Sequence, residues 1–312
     1  MKTQTQKTPL SEKQPDTKSL SWFAAGFFFA LLWGSASTAT KIGLTVAQPL
    51  VIAVVRFGMA AVLLLVVAHL VLRYRFPKGS EWKSLAVYGL LNITVYLGLY
   101  VVGMQTVTAG VGALAVASNP VFIGFLSVFV LKKRLAWPVV LAIIISATGV
   151  LCAAWPLMQT SEVDAKGLLI LLASMLSYSA GAIYFAAKKW NGLPLLVING
   201  WQTLLGGIFL LPFAIFFYRP DVNRFNVTYW LSVGWLAIPV SILAVQLWLW
   251  LLQKNAVKAG LWLFLCPLFG FVLAALVLHD SITVYTLVGI LLVMGGLFLS
   301  KINAGKNEAT TD

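Results

Sequence analysis

The chain has 312 residues, 60% of them hydrophobic and only 10% charged, with a formal net charge of +13. That balance excludes an ordinary soluble domain. The basic residues sit in short clusters between apolar runs, which excludes a nucleic-acid-binding stripe as well.

Taken in order, residues 1–18 form a polar tail with Lys2, Lys7, Lys13 and Lys18. Uncharged runs then follow at Ser19–Thr40 and at Ile42–Leu72, the second interrupted by Arg56 and His69. Ser84–Leu131 carries no charge and is too long for one crossing, since about 20 helical residues traverse the hydrocarbon. The "GMQTVTAG" at 103–110 is its predicted turn. Five further runs are Leu135–Ser161, Gly167–Ala187, Trp190–Tyr218, Phe225–Gln253 and Ala259–Leu278, and Ser281–Ser300 is the last before a tail at 302–312. The prediction is an all-α integral membrane protein with ten transmembrane helices. Continuous apolar runs exclude a barrel, which would alternate. Two cysteines, Cys152 and Cys266, lie inside apolar runs, so neither a metal site nor a disulfide framework nor any cofactor is expected.

Lysine and arginine orient the helices. Alternate loops and the tails hold Lys2, Lys7, Lys13, Lys18, Arg73, Arg75, Lys78, Lys83, the "KKR" at 132–134, Lys188, Lys189, Lys254, Lys258, Lys301 and Lys306. The intervening loops hold only Lys41, Lys166, Arg219 and Arg224. The bias puts both termini in the cytoplasm. The first run is read as uncleaved, because it is too long for a signal-peptide core. Asn226-Val-Thr228 is formally a glycosylation sequon, without meaning in the bacterium that the short loops favour.

The chain repeats itself. "NPVFIGFLSVFVLKKRLAWPVVLAIIISATGVL" (119–151) lies on "CPLFGFVLAALVLHDSITVYTLVGILLVMGGLF" (266–298) without gaps, matching Pro120 with Pro267 and Gly149 with Gly296. Upstream, "VTAG" (107–110) resembles "VKAG" (257–260), and Pro49 corresponds to Pro194. Each unit has five helices, over 19–156 and 157–301. An odd number reverses orientation, so these are two inverted five-helix repeats, an arrangement that encloses a site near the midplane.

"LLWGSASTATKIGL", Arg56 in the second helix, a proline-containing fourth helix and a glycine-bearing fifth together resemble the EamA branch of the drug/metabolite transporter superfamily. The resemblance spans about residues 20–301. It implies ten helices and export or exchange of small metabolites across a bacterial inner membrane. The family often has Gly-Glu after the fourth and ninth helices; here Lys132-Lys133 and His279-Asp280 stand in those slots.

Candidate substrate-binding residues follow from polarity at membrane depth. Gly34, Ser35, Ser37 and Thr38 let the first helix pack closely and can line a cavity that Trp33 opens. Asn92, Tyr96 and Tyr100 stack on one helix face. Placing VTAG on VKAG sets Gln246 opposite Tyr96 and Trp250 opposite Tyr100. Tyr178, Asn199 and Gln202 complete an aromatic-walled polar set. For each of these the alternative is a plain interhelical hydrogen bond. Arg56 is too costly to face lipid, about 2.5–3.5 kcal/mol on insertion scales. It either bonds helix carbonyls and hydroxyls, the reading favoured here, or attracts an anionic group. Pro120 and Pro267 are the candidate hinges.

No Asp or Glu lies well inside a run, so a proton-relay carboxylate is missing. No Walker motif is present. The leading reading is a secondary transporter, a monomer or homodimer in the bilayer, moving an amino-acid-like solute outward or by exchange. A lipophilic-cation exporter and an integral membrane enzyme are the alternatives. The latter is disfavoured by the lack of an acid cluster and by histidines only at helix ends, His69 and His279.

Overall fold

A computed structural model describes residues 20–131, 137–159, 164–280 and 282–308. The tail 1–18, the "KKR" at 132–134 and part of the loop at 157–166 lie outside these residues. Regular structure among them is helical. Helix α1 is Leu20–Leu44 and α2 runs Pro49–Leu65 with a π-helical end at Val66–Val71. Helix α3 comprises Ser80–Gly89, the π-helical Leu90–Val95 and Tyr96–Gly103. Helix α4 is Ala109–Val116 and Asn119–Leu131, α5 Trp137–Gln159, α6 Ala165–Ala187 and α7 Leu195–Phe216. Helix α8 comprises Val227–Trp235, the π-helical Leu236–Ala244 and Val245–Ala259; after a 3-10 stretch, Gly260–Phe264, come α9, Leu265–Leu278, and α10, Val284–Glu308.

Local chemistry sets several of these ends. Pro49 occupies the first position of α2, where its missing N–H is not needed. The Thr108 side chain caps α4 by accepting from the Val111 N–H. Asn226 of the formal sequon is the N-cap of α8, accepting from Tyr229 N at 3.0 Å. The predicted turn after α3 falls at 104–108. Seven of the described helical stretches are long and apolar enough to cross a membrane. Leu265–Leu278 and Val284–Gly296 are shorter apolar helices. Phe27, Phe28, Leu70, Phe216 and Leu231 point outward, the surface expected of a multi-pass membrane protein.

The helices pair in a pattern. Helix α2 packs on α7, α4 on α9, and α5 on α10. Helix α1 packs on α9 and α6 on α4; α3 packs on α6 and α8 on α1; α3 packs on α7 and α8 on α2. Exchanging each of the first five helices with its counterpart in the second five maps this set onto itself, which is consistent with two repeats about a pseudo-two-fold axis. Individual contacts obey it. Aligning Pro49 on Pro194 and Pro120 on Pro267 carries Gly34 onto Ser179 and Asn119 onto Cys266. A Cβ on Gly34 would lie 2.7 Å from the Cys266 carbonyl. In the other half, the Ser179 hydroxyl donates to the Asn119 carbonyl at 3.2 Å. The glycine lets α1 and α9 approach, as small residues do in membrane packing.

The continuous apolar runs conceal irregular backbone. Placing VTAG on VKAG makes the π-helical parts of α3 and α8 overlap, so the wide turns recur in both halves. Such turns concentrate at functional sites. Proline also sits differently from a mid-helix hinge. Pro120 is the second residue of its helical piece, after a break at Ala117-Ser118, and Pro267 is the third residue of α9, after the 3-10 stretch. Both therefore open a helical piece, where proline is tolerated, rather than bending its interior.

Candidate functional site

Helix α2 carries Arg56 into the protein interior, where it is only 2% exposed. Its Nε–H donates to the Ser241 hydroxyl of α8 at 2.8 Å, and the guanidinium carbon lies 5.3 Å from the neighbouring Phe57 ring centroid. Among the described residues the terminal nitrogens have no hydrogen-bond acceptor. They face a small cavity also lined by Trp33, Ser37, Tyr96, Tyr100 and Cys266. The cavity is small, with room for about one water. Neither the Tyr96 nor the Tyr100 hydroxyl has a partner among the described residues.

The walls are aromatic. Tyr178 lies 4.8 Å from Tyr96 and 5.7 Å from Trp33, ring centroid to centroid. Its hydroxyl is buried without a partner. The Pro49–Pro194 alignment puts Trp33 onto Tyr178, so this contact joins equivalent residues across the two halves. Phe29 and Trp248 stack at 5.0 Å, and Trp248 stacks on Tyr178 at 6.1 Å.

The sequence-predicted residues divide. Trp33, Arg56, Tyr96 and Tyr100 line the cavity, with Tyr178 behind two of them. Asn92, Asn199 and Gln202 instead form an interhelical network. Asn92 Nδ2 donates to Gln202 Oε1 at 3.1 Å, Gln202 Nε2 to Asn199 Oδ1 at 3.2 Å, and Asn199 Nδ2 to the Ser241 carbonyl at 3.1 Å. Ser35 donates to the Leu32 carbonyl at 2.6 Å and accepts from Trp235 Nε1 at 2.9 Å, which ties α1 to α8. Trp250 packs 6.2 Å from Trp22, beneath the Lys254 ammonium. Gln246 Oε1 is buried without a partner.

Ser241 and Trp248 escaped the sequence reading. A lone serine in "IPVSILAV" (238–245) gives no signal, although it lies beside the counterpart of Asn92 in the other repeat. Lys41 and Asp280, unlike Arg56, stand near helix ends. Lys41 donates to the Met104 carbonyl at 3.0 Å, and Asp280, just after α9, accepts from Gly110 N at 3.5 Å. No three of His, Cys, Asp and Glu gather to hold an ion among the described residues.

Comparison with known proteins gives the class. The model of the EamA-like transporter family matches the chain twice, over residues 20–155 and 165–302. The uncharacterized transporter YoaV of Bacillus subtilis is 26% identical over 280 residues, covering 86% of this chain and 93% of its own. Protein PecM of Dickeya dadantii is 27% identical, covering 88% and 90%. The uncharacterized inner membrane transporter YedA of Escherichia coli is 29% identical over 75% of each chain. One crystal structure shares the fold with a TM-score of 0.66 at 18% identity, over 91% of this chain and 98% of that one. YoaV and YedA carry the name of transporters, not of enzymes. With both halves matched and the helix pairing in place, the chain belongs to the EamA-like transporter family.

Proposed function

We propose that the protein is a secondary transporter that crosses the membrane ten times and exports or exchanges an amino-acid-like metabolite by alternating access. The observation that carries the reading is the cavity between the halves, which Trp33, Tyr96 and Tyr100 line from one side and Val240 and Cys266 from the other. A site held between two pseudo-symmetric halves can be exposed to either face by rocking one against the other. The repeats are taken as 19–156 and 157–301. The breaks before Pro120 and Pro267 are the hinge points. Neutral hydroxyls and aromatic faces suit a zwitterion or polar metabolite, and none of the cavity-lining residues is acidic. A lipophilic-cation exporter, the second reading, would lack its counter-ion there.

The lysine and arginine bias supports cytoplasmic termini, and relatives such as YedA support a bacterial inner membrane. Purified protein in liposomes, assayed by counterflow against pooled amino acids, nucleosides and quaternary cations, tests the function. Uptake of the amino-acid pool is expected, and transport confined to the cations overturns the reading. For topology, cysteines introduced at Asp221 and Lys188 should react with an impermeant maleimide in intact cells only at Asp221.

A further inference from the structure

Resting on the transporter reading, we propose that Arg56 is the docking point for a carboxylate group of the transported solute. The physical case starts from the unbalanced charge. A guanidinium 2% exposed at membrane depth has lost nearly all its water. It normally regains that stabilisation from an acid or from several carbonyls. Here it has one neutral hydroxyl, Ser241, on Nε. Every described acid lies at a helix end or in a loop: Glu81 is held by Arg75, Asp280 is near Gly110, Asp164 and Asp221 are in connecting segments, and Glu308 ends α10.

The geometry says which anion. With Nε tethered, the two terminal nitrogens remain to present a planar pair of donors to one partner. A carboxylate accepts such a pair in the side-by-side manner that guanidinium favours. Tyr96 and Tyr100, whose hydroxyls have no partner among the described residues, add O–H donors at the same cavity. Each lies on α3, four residues from the other, so both hydroxyls accompany Arg56 from the first half. Ser241 comes from α8 in the second half. The solute would thus bind to a cation that already bridges the halves, and its charge would be neutralised where α2 meets α8. Trp33 adds an aromatic face, and the cavity, with room for about one water, must widen to admit the remainder of the solute.

The test compares matched ligands on the wild-type chain before any variant. Binding to detergent-purified protein is measured by titration calorimetry for phenylalanine, its carboxamide, phenethylamine and phenylacetate, with inorganic phosphate as a further arm. The same set is assayed for counterflow in liposomes. Phenylalanine and phenylacetate are expected to bind at least about tenfold more tightly than the amide or the amine, the scale of a charge-assisted hydrogen bond. Arg56→Gln is expected to abolish that discrimination, and Arg56→Lys to keep part of it. Equal binding of carboxylate and amide by wild type overturns the proposal, as does preference for phosphate. So does a folded Arg56→Gln protein that still discriminates. If Arg56→Gln fails to fold, the wild-type ligand pairs and Arg56→Lys decide. Carboxylate-selective binding without flux would sink the transporter reading and leave Arg56 standing; flux indifferent to the carboxylate would do the reverse.

Discussion

The two ends of α2 meet the other half of the molecule through different chemistry. At the Pro49 end, the side chain of Gln48 is a neutral clasp. Its Oε1 accepts from Arg219 N at 2.6 Å and Asn223 Nδ2 at 2.9 Å, while its Nε2 donates to the Phe217 carbonyl at 2.8 Å. At the other end, a charged side chain and aromatic rings make the link, and the ion pair that holds Arg75 lies within the first half. Arg75 pairs with Glu81 through two bonds of 2.8 Å and reaches the Asn191 carbonyl at 3.2 Å. Beside it, His69 stacks on Phe76 at 3.9 Å and accepts from Trp201 Nε1 at 3.0 Å. Under the repeat the two ends are counterparts: the α1–α2 loop meets the α7–α8 loop, and the α6–α7 loop meets the α2–α3 loop. The same topology thus carries a contact without charge at one end and a charged one at the other. On the alternating-access proposal, the two ends would respond to different conditions without any change of fold.

The largest effect is expected from Trp201→Ala. It removes a ring that donates to His69 and packs edge-on against Trp82 at 4.6 Å. Truncating a partly buried tryptophan should cost about 2–4 kcal/mol, read as a lowered unfolding midpoint in detergent. A spin-label pair at Lys78 and Lys188 should report a widened distance distribution at that end. A second pair, at Thr45 and Asp221, should be unchanged. Widening at both would show that the ends are not independent.

Next in size is Glu81→Gln, which discharges the ionic link and weakens the bond from Lys78 N, now 2.8 Å. The Lys78–Lys188 label pair should widen, and raised salt should reproduce this in wild type, because at about 1 M the screening length is about 3 Å. The Gln48 end should not respond to salt.

His69→Phe is the third probe. Because Trp201 can only donate, His69 Nε2 accepts from it, and Nδ1 donates to the Tyr74 carbonyl at 2.9 Å. Phenylalanine keeps a ring to stack on Phe76 and removes both bonds. The Lys78–Lys188 distribution should therefore widen. An unchanged distribution would assign the closure to Arg75 and Asn191 instead.

The smallest effect is expected from Gln48→Glu. Both acceptor bonds remain and only the donation to Phe217 is lost, about 1 kcal/mol. The Thr45–Asp221 pair should then acquire a pH dependence, since only the protonated carboxyl can restore the donation to Phe217.

Much of this was legible in the residues themselves. Apolar runs of bilayer length, the matched prolines and glycines, and the small-residue stretch after Trp33 set the class, the repeat and the close packing of α1. These follow from local solvation and periodicity, which a single chain carries in its own order. The buried charge of Arg56 was equally visible as an anomaly. What its neighbours would be was not, since Ser241 is distant in sequence and unremarkable in type. Asn92, Asn199 and Gln202 had the composition of a binding site and became a network between helices, because a buried amide bonds to whichever partner the packing brings nearest. The π-helical turns in α3 and α8 leave no mark in an apolar run. Hydropathy determined which segments leave water; only tertiary packing decided which polar groups satisfy one another and which, like the terminal nitrogens of Arg56, are left facing the cavity.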